Sequence, residues 1–279
     1  WVWFFFGHKI RYLVLGGFGG GGVQAGVWAF IFGLGAGAWF WTPPVEYLQF
    51  QTAIGEQARY TLPDGSAMVL NTDSAVRIEL SKARRLVYLD HGEVFFDVRH
   101  RRDRPFDVVT RSGRVRVLGT RFSVQSSHER SRVVVAKGRG GIDGSNSADL
   151  KKGNGTNKTI TFDADVILKA NEQISFDAAE QQQKPQAIDA QHALAWREKR
   201  LSYHSEPLSE VVADLNRYFN VTLQIEDPRL AEQKLTALIL LSDIDAAIRV
   251  LEETLNVKAQ PNTTANTILL VLVKPAATD

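Results

Sequence analysis

The stretch RLVYLDHGEVFFDV, residues 85–98, indicates the fold most clearly. It is rich in valine, leucine and aromatic residues, and residues of these kinds favour strands. We predict one strand over Arg85–Leu89 and a second over Glu93–Val98. His91-Gly92 lies between them, and because glycine readily takes a positive φ, this pair is expected to form the turn of a hairpin.

Similar runs continue on both sides and predict an all-β domain over residues 42–177. Pro63-Asp64-Gly65-Ser66 and Ser112-Gly113 supply the proline and glycine that turns need. Residues 140–161 are rich in Gly, Ser, Asn, Asp and Lys and predict a mobile loop, inside an apparent insertion over residues 137–168. The other candidate strands are Gln57–Thr61, Ala67–Leu70, Val76–Leu80, Phe106–Thr110, Val115–Val117, Arg121–Gln125 and Arg132–Ala136.

After residue 177 the apolar spacing changes from that of strands to that of helices. Residues 178–195, with three successive glutamines and a proline, predict a linker. Two helices are then predicted with identical apolar spacing, 36 residues apart: Leu208, Val211, Val212, Leu215 and Phe219, then Ile244, Ala247, Ile248, Leu251 and Leu255. With strands at Leu201–His204, Val221–Ile225, Lys234–Leu240, Val257–Gln260 and Thr267–Val273, they predict a small α+β domain of βαβ-βαβ type over residues 196–274.

The N-terminal end has the character of a membrane segment. Residues 12–41 carry no charged side chain, and this run exceeds the roughly 20 residues that cross a bilayer, so we predict one transmembrane helix there. Lys9 and Arg11 precede the run, which by the positive-inside rule makes residues 1–11 a cytoplasmic stub and places the later domains on the other side. A secretory signal peptide is the alternative, although Trp39–Thr42 offers no small-residue cleavage site.

Composition argues against several classes of function. The net charge is only +2, with acidic and basic residues interleaved, so nucleic acid is not an expected partner. The chain has no cysteine, and its six histidines show no metal-binding spacing, so no metal site is predicted. The glycines of residues 17–22 satisfy G-x-G-x-x-G, but no acidic residue follows before Glu46, so no cofactor is expected. Its scattered carboxylates suggest no catalytic pair, and we do not expect an enzyme.

Several motifs in fixed order resemble those of FecR-like regulators. In the β region these are TLPDGS at residues 61–66, LNTDSA at 70–75, GEVFFDV at 92–98 and VRVLGTRFSV at 115–124. Ala195-Trp196-Arg197 and Leu215-Asn216-Arg217-Tyr218 resemble the C-terminal part of the same family. The βαβ repeat is similar to the short N-terminal domain of secretins and TonB-dependent receptors. The resemblance implies a mainly β periplasmic domain followed by this small α+β domain, preceded by one transmembrane helix.

The resemblance also implies a function. Members of the family cross the bacterial inner membrane once, with the N-terminus in the cytoplasm. They bind the periplasmic signalling domain of a TonB-dependent outer-membrane transporter, in iron or siderophore uptake, and regulate an extracytoplasmic-function (ECF) sigma factor. Proteases of regulated intramembrane proteolysis pass the signal inward. The sigma-binding domain would precede residue 1. A periplasmic carbohydrate-binding protein or enzyme, or an envelope structural protein, is the alternative.

The predicted partner-binding residues lie in one strand: Lys234, Leu235, Thr236, Leu238, Leu240 and Leu241. Leu238–Leu241 is continuously apolar, so this strand either buries both faces or meets a partner, through an exposed edge that accepts an added strand. A strand buried under the two helices is the equally open alternative. Trp196 and Arg197 are predicted to lie at the domain junction rather than at a ligand.

Overall fold

The computed structural model describes residues 45–127, 130–143, 164–177, 184–262 and 266–272. The predicted cytoplasmic stub and transmembrane helix, residues 1–41, lie outside the described residues. None of the helices in the described part of the chain combines the length and the apolar character needed to cross a bilayer. Residues 45–279 form one compact unit.

The prediction of a mainly β chain is confirmed. Thirteen strands precede the first described helix: β1 Glu46–Thr52, β2 Ala58–Thr61, β3 Ala67–Leu70, β4 Ser74–Leu80, β5 Arg85–Asp97, β6 Phe106–Val109, β7 Arg114–Val117, β8 Arg121–Ser126, β9 Arg130–Lys137, β10 Arg139–Asp143, β11 Val166–Lys169, β12 Glu172–Asp177 and β13 Gln186–Ala187. Two predictions in this region were wrong. Residues 140–143 belong to β10 rather than to a loop, because they pair with β7 and β11 and bury Ile142.

The predicted hairpin at His91-Gly92 was the other error, since residues 85–97 form the single strand β5. Ala75 faces His91 but Val76 faces Leu89, so β5 carries an extra residue, a β-bulge, at this point. Gly92 has a φ of +88°, and a Cβ there would stand 2.2 Å from Ser74 Oγ. The glycine therefore permits a close approach of β4 to β5 rather than a reversal of the chain.

The long strand β5 is shared by two halves of the sheet. Its first half pairs with β4 and β6, giving the order β1-β4-β5-β6-β7-β10-β11. Its second half pairs with β3 and β8, giving β2-β3-β5-β8-β9-β12-β13. The core of the β domain lies between the halves, where the ring of Phe96 lies 5.3 Å from that of Phe106 and 5.5 Å from that of Phe122.

A buried ion pair ties the loop after β5 to this core. Arg85 donates to Asp64 Oδ2 over 3.1 Å, and both side chains are almost completely inaccessible. The same guanidinium donates to the backbone carbonyls of Arg99 and Arg104 over 2.9 and 2.8 Å. The arginine thus holds both ends of the segment that leads from β5 to β6.

The C-terminal elements follow the predicted order. They are α1 Ala190–Ala193, a 3-10 helix Ala195–Glu198, β14 Arg200–Pro207, α2 Leu208–Tyr218, β15 Thr222–Ile225, α3 Pro228–Ala231, β16 Lys234–Leu240, α4 Ile244–Thr254, β17 Val257–Pro261 and β18 Thr267–Leu272. The strands divide into an antiparallel pair, β14-β16, and a three-stranded sheet, β15-β18-β17. The two strands flanking each long helix therefore lie in different sheets, so neither helix links parallel strands of one sheet as a βαβ unit does. Each long helix instead packs against both sheets.

The described part of the predicted linker, residues 184–195, is built into the protein. Gln186 and Ala187 form β13 against β12, and Asp189 caps α1 by accepting from the backbone N–H of Gln191 over 2.8 Å. Ala190 and Leu194 are buried. Their apolar side chains belong to a second hydrophobic core, which the polar appearance of residues 178–195 did not indicate.

Candidate functional site

The strand with the predicted partner-binding residues has two different faces. Leu235 and Ile239 are fully buried in the second core. Leu238 and Leu240 lie on the opposite face, with exposed fractions of 52% and 57%, and Lys234 and Thr236 are also exposed. Leu241, just beyond the strand, is half-buried against the same core. The sequence left open whether this strand is buried under the helices or exposed to a partner. One face of β16 is buried and the other is exposed.

One edge of β16 has no strand beside it among the described residues. The backbone N–H groups of Leu241 and Leu208 donate to the carbonyls of Lys199 and Gln233 over 2.9 and 2.8 Å, so these pairs bracket the β14-β16 ladder. Along an antiparallel pair of strands, the backbone N–H and C=O groups of successive residues alternate. Those of one residue bond to the opposite residue on the partner strand, and those of the next point away from the partner. Since Leu241 faces β14, the backbone groups of Leu240 and Leu238 face the open edge. The edge therefore combines unused backbone donors and acceptors with exposed apolar side chains.

Trp196 and Arg197 lie where the C-terminal elements meet the β domain. Trp196 is buried in the second core, to which the β strands contribute Val69, Phe95 and Val134. The guanidinium of Arg197 lies 4.1 Å from the centre of the Phe95 ring, a cation-π distance. Gln57 donates to the carbonyl of Trp196 over 3.0 Å. The outward face of β3, β5 and β9 is thus covered by the C-terminal elements.

A buried polar network crosses the same junction. Asn71 Nδ2 donates to the hydroxyl of Tyr218 over 2.6 Å and to Glu93 Oε2 over 2.9 Å. Ser123 donates to the other carboxylate oxygen of Glu93 over 2.9 Å. The hydroxyl of Thr72 donates to the backbone carbonyl of Arg217 over 2.7 Å. Burial is the main reason that the pKa of Tyr218 is raised, so its hydroxyl remains neutral under ordinary conditions.

Arg217 connects two carboxylates across the junction. It lies 3.4 Å from Glu93 in β5 and 3.5 Å from Asp214 one turn earlier in α2. Burial lowers the pKa of Arg217, but Glu93 and Asp214 outweigh this effect and the pKa is raised. Burial raises the pKa of Asp214 despite the nearby arginine. The pairing keeps the guanidinium charged inside the junction.

Beside this network, a cleft of about 820 Å³ separates the β domain from the C-terminal elements. Its lining includes Arg132 of β9, Tyr203 and Glu206 of β14, and Asp214 of α2. Both charge signs are therefore present on its walls. Among the described residues, no group of three His, Asp or Glu side chains could hold a metal ion.

The strand Lys234–Leu240, predicted to bind a partner, and Trp196 and Arg197, predicted to lie at the domain junction, are found in different parts of the structure. Sequence patterns did not single out Asn71, Thr72, Glu93, Arg217 and Tyr218, although all five belong to the motifs quoted above. Their meeting could not be deduced because residues 71 and 218 lie 147 positions apart in the chain. The one feature of the sequence that pointed to a polar network was the presence of these polar residues in motifs that are otherwise rich in apolar residues.

Comparison with known proteins agrees with this architecture. Two family models match the chain, one described as FecR protein over residues 49–139 and one as the C-terminal part of FecR over residues 200–270. No curated protein matches. Two crystal structures of a proposed anti-sigma factor from Parabacteroides distasonis, at 2.50 and 1.65 Å resolution, are each 24% identical to this chain, with a TM-score of 0.65. The alignments cover 82% and 81% of this chain and all of the other.

The structural likeness, at this level of identity, concerns the fold. The first matched region covers most of β1 and then β2–β9, and the second covers β14 through most of β18. The chain therefore belongs to the FecR family.

Proposed function

We propose that this chain is the receptor-facing part of a membrane-tethered regulator, and that it binds the periplasmic signalling domain of a TonB-dependent transporter through the open edge of β16. One observation carries the proposal: the outward-facing backbone groups of Leu238 and Leu240 lie beside their exposed side chains. An added strand would satisfy the backbone groups and bury the two leucines together.

Other parts of the proposal rest on family membership. The regulator is anchored in the bacterial inner membrane through residues 12–41, and its described domains face the periplasm. Its partner transports iron or a siderophore, and its output is an ECF sigma factor bound by a cytoplasmic domain. Proteolysis within the membrane carries the signal between them. In this arrangement the edge of β16 is the input of the pathway.

Binding can be tested by titrating residues 45–279 with the signalling domain of a transporter encoded beside this gene, using calorimetry. We expect saturable binding that Leu238→Pro weakens at least tenfold. Proline removes an N–H that faces the open edge, so the bonds between β14 and β16 remain. Ile167→Pro is the matched control, because Ile167 is 60% exposed on the edge strand β11, remote from β16.

Two results would reject the proposal. The first is the absence of binding to every such signalling domain. The second is equal binding by the original protein and by a folded Leu238→Pro variant. Circular dichroism of each variant establishes folding before the titration. Self-association of residues 45–279 that Leu238→Pro abolishes, without binding of a signalling domain, would indicate that the edge joins two copies of this chain instead.

A further inference from the structure

The cleft between the β domain and the C-terminal elements carries opposite charges on its two walls. Arg130 and Arg132 of β9 line one wall, and Glu206, Glu210 and Asp214 line the other. Glu93 and Arg217 also line the cleft and pair with each other over 3.4 Å, and Arg217 lies 3.5 Å from Asp214. The β16 edge is not part of this lining, so the cleft is separate from the proposed partner surface.

Arg132 acts electrostatically on two of the carboxylates on the other wall, Glu206 and Asp214. Burial raises the pKa of Glu206, and Glu210 and Asp214 raise it further, whereas Arg132 lowers it. Arg132 has the same lowering influence on Asp214. Nevertheless, no ion pair within 4.0 Å joins Arg132 to either carboxylate in the described part of the chain. Arg132 is therefore separated from Glu206 and Asp214 by a gap, across which the opposite charges attract each other without direct contact.

Two buried donors at the same cleft have no acceptor among the described residues. They are the hydroxyl of Tyr203 and Nε1 of Trp196. Tyr203 is 8% exposed and Trp196 is 3% exposed, so water reaches neither group freely. Burial and the nearby Asp214 raise the pKa of Tyr203, which keeps its proton in place as a donor. Because less than 1 Å² of each donor atom is accessible, a ligand in the cleft reaches these donors only where the walls shift to expose them.

We propose that this cleft binds a small zwitterion, an α-amino acid or a peptide of two or three residues with free ends. Arg132 takes the carboxylate, and Asp214 and Glu206 take the ammonium group. A volume of about 820 Å³ lies within the range of small-molecule sites and exceeds the size of a single amino acid. Gln125 and Ser175, which face Arg132 on the neighbouring strands and also line the cleft, supply neutral hydrogen-bonding groups.

The test uses the full chain and a panel of the common α-amino acids, Ala-Ala and Ala-Ala-Ala. Thermal unfolding is the first readout and calorimetric titration the second. We expect at least one probe to raise the unfolding temperature and to bind saturably. Its N-acetylated and its C-amidated forms should each bind at least tenfold more weakly, because each lacks one of the two charges.

Arg132→Gln should weaken binding at least tenfold, while Arg121→Gln should leave it unchanged. Arg121 lies on β8 and pairs with Asp97 at the surface, away from the cleft. If Arg132→Gln does not fold, Glu206→Gln replaces it and should weaken binding of the ammonium group. Absence of binding at millimolar concentrations of all probes would overturn the proposal. So would equal binding of the blocked probes, or equal binding by a folded Arg132→Gln or Glu206→Gln variant.

Discussion

The side-chain amide of Asn71 donates a hydrogen bond to the hydroxyl of Tyr218 over 2.6 Å, and this bond joins the turn before β4 to the end of α2. Asn71 also binds Glu93, which in turn pairs with Arg217, the neighbour of Tyr218. Two successive residues of α2 thus contact two β-domain residues that are bonded to each other, Arg217 contacting Glu93 and Tyr218 contacting Asn71. The C-terminal elements are held in one orientation by polar contacts as well as by the shared apolar core.

Tyr218→Phe should therefore lower the free energy of unfolding by about 1 kcal/mol, the usual contribution of one buried hydrogen bond. The ring still packs, and Asn71 keeps its bond to Glu93, which limits the loss. Urea unfolding followed by fluorescence measures the change. Tyr60→Phe is the control, because its hydroxyl makes no hydrogen bond to the part of the chain that the structure describes. Equal losses in the two variants would contradict the assigned role of Tyr218.

Gly92→Ala should destabilise the β domain by about 3 kcal/mol, the upper end of the cost of a strained backbone position. Alanine at a φ of +88° is strained, and its Cβ would stand 2.5 Å from the backbone oxygen of Asp73. Chemical denaturation provides the measurement. In Gly140→Ala, the nearest atom to the new Cβ is a methyl group of Val117 at 3.3 Å and the next two lie at 3.9 and 4.0 Å, so a much smaller loss is expected. A neutral effect of Gly92→Ala would show that the bulge relaxes readily.

The buried pair of Asp64 and Arg85 predicts a loss of stability in acid. Burial alone would raise the pKa of Asp64, but hydrogen bonds from Ser66 and Arg85 hold it below its ordinary value of 3.8. A carboxyl whose pKa is lower in the folded state stabilises the protein above the unfolded value. This contribution disappears as the pH falls through 3.8 towards the folded pKa.

Asp64→Asn should cost about 3 to 5 kcal/mol at neutral pH, as expected when one partner of a buried ion pair is removed. The difference from the original protein should shrink below pH 3.8. Denaturant titrations at a series of pH values measure both effects. Asp90→Asn, at an exposed pair with Arg77, should cost less than about 1 kcal/mol. A difference for Asp64→Asn that is constant with pH would refute the interpretation.

Local patterns in the sequence predicted much of the fold but not its long-range contacts. Residues 234–240 were predicted with the observed bounds, because the run contains several apolar and β-branched residues that favour a strand. Gly92, which follows the bulge at Asp90, was mistaken for part of a turn, because turns and bulged strands both use a positive φ and only the partner strand distinguishes them. Strand β10 was missed because Gly140 and Gly141 suggest a loop, whereas pairing with two neighbouring strands determines its structure.

The candidate site shows the same division. A strand over residues 234–240 implies that successive side chains point to opposite faces. Because the residues at the end of β16 are all apolar, the sequence did not indicate which face is exposed. The junction network depends on residues from three separate motifs whose contact is set by packing of the whole unit. The charges on the two walls of the cleft belong to β9, β14 and α2, and nothing in their local sequence indicates that they face each other.

Phe95 and Phe96 are neighbours in β5 and serve different cores, which allows the coupling of the two domains to be tested. Phe96 packs inside the β domain, while Phe95 packs against Trp196 and the C-terminal elements. Each change to alanine should cost about 3 to 5 kcal/mol, the usual loss for a buried phenylalanine. The two variants should differ in cooperativity, because only Phe95→Ala removes contacts between the domains.

Phe95→Ala should therefore separate unfolding into two transitions, seen as non-coincident curves from tryptophan fluorescence and far-ultraviolet circular dichroism. The measurement uses residues 45–279, in which Trp196 is the only tryptophan and reports on the junction, while circular dichroism reports on the strands of both domains. Phe96→Ala weakens the β domain but leaves the junction intact, so its two curves should coincide at a lower midpoint. Coincident curves for Phe95→Ala would mean that the buried network of Asn71, Glu93 and Tyr218 suffices to keep the two domains cooperative.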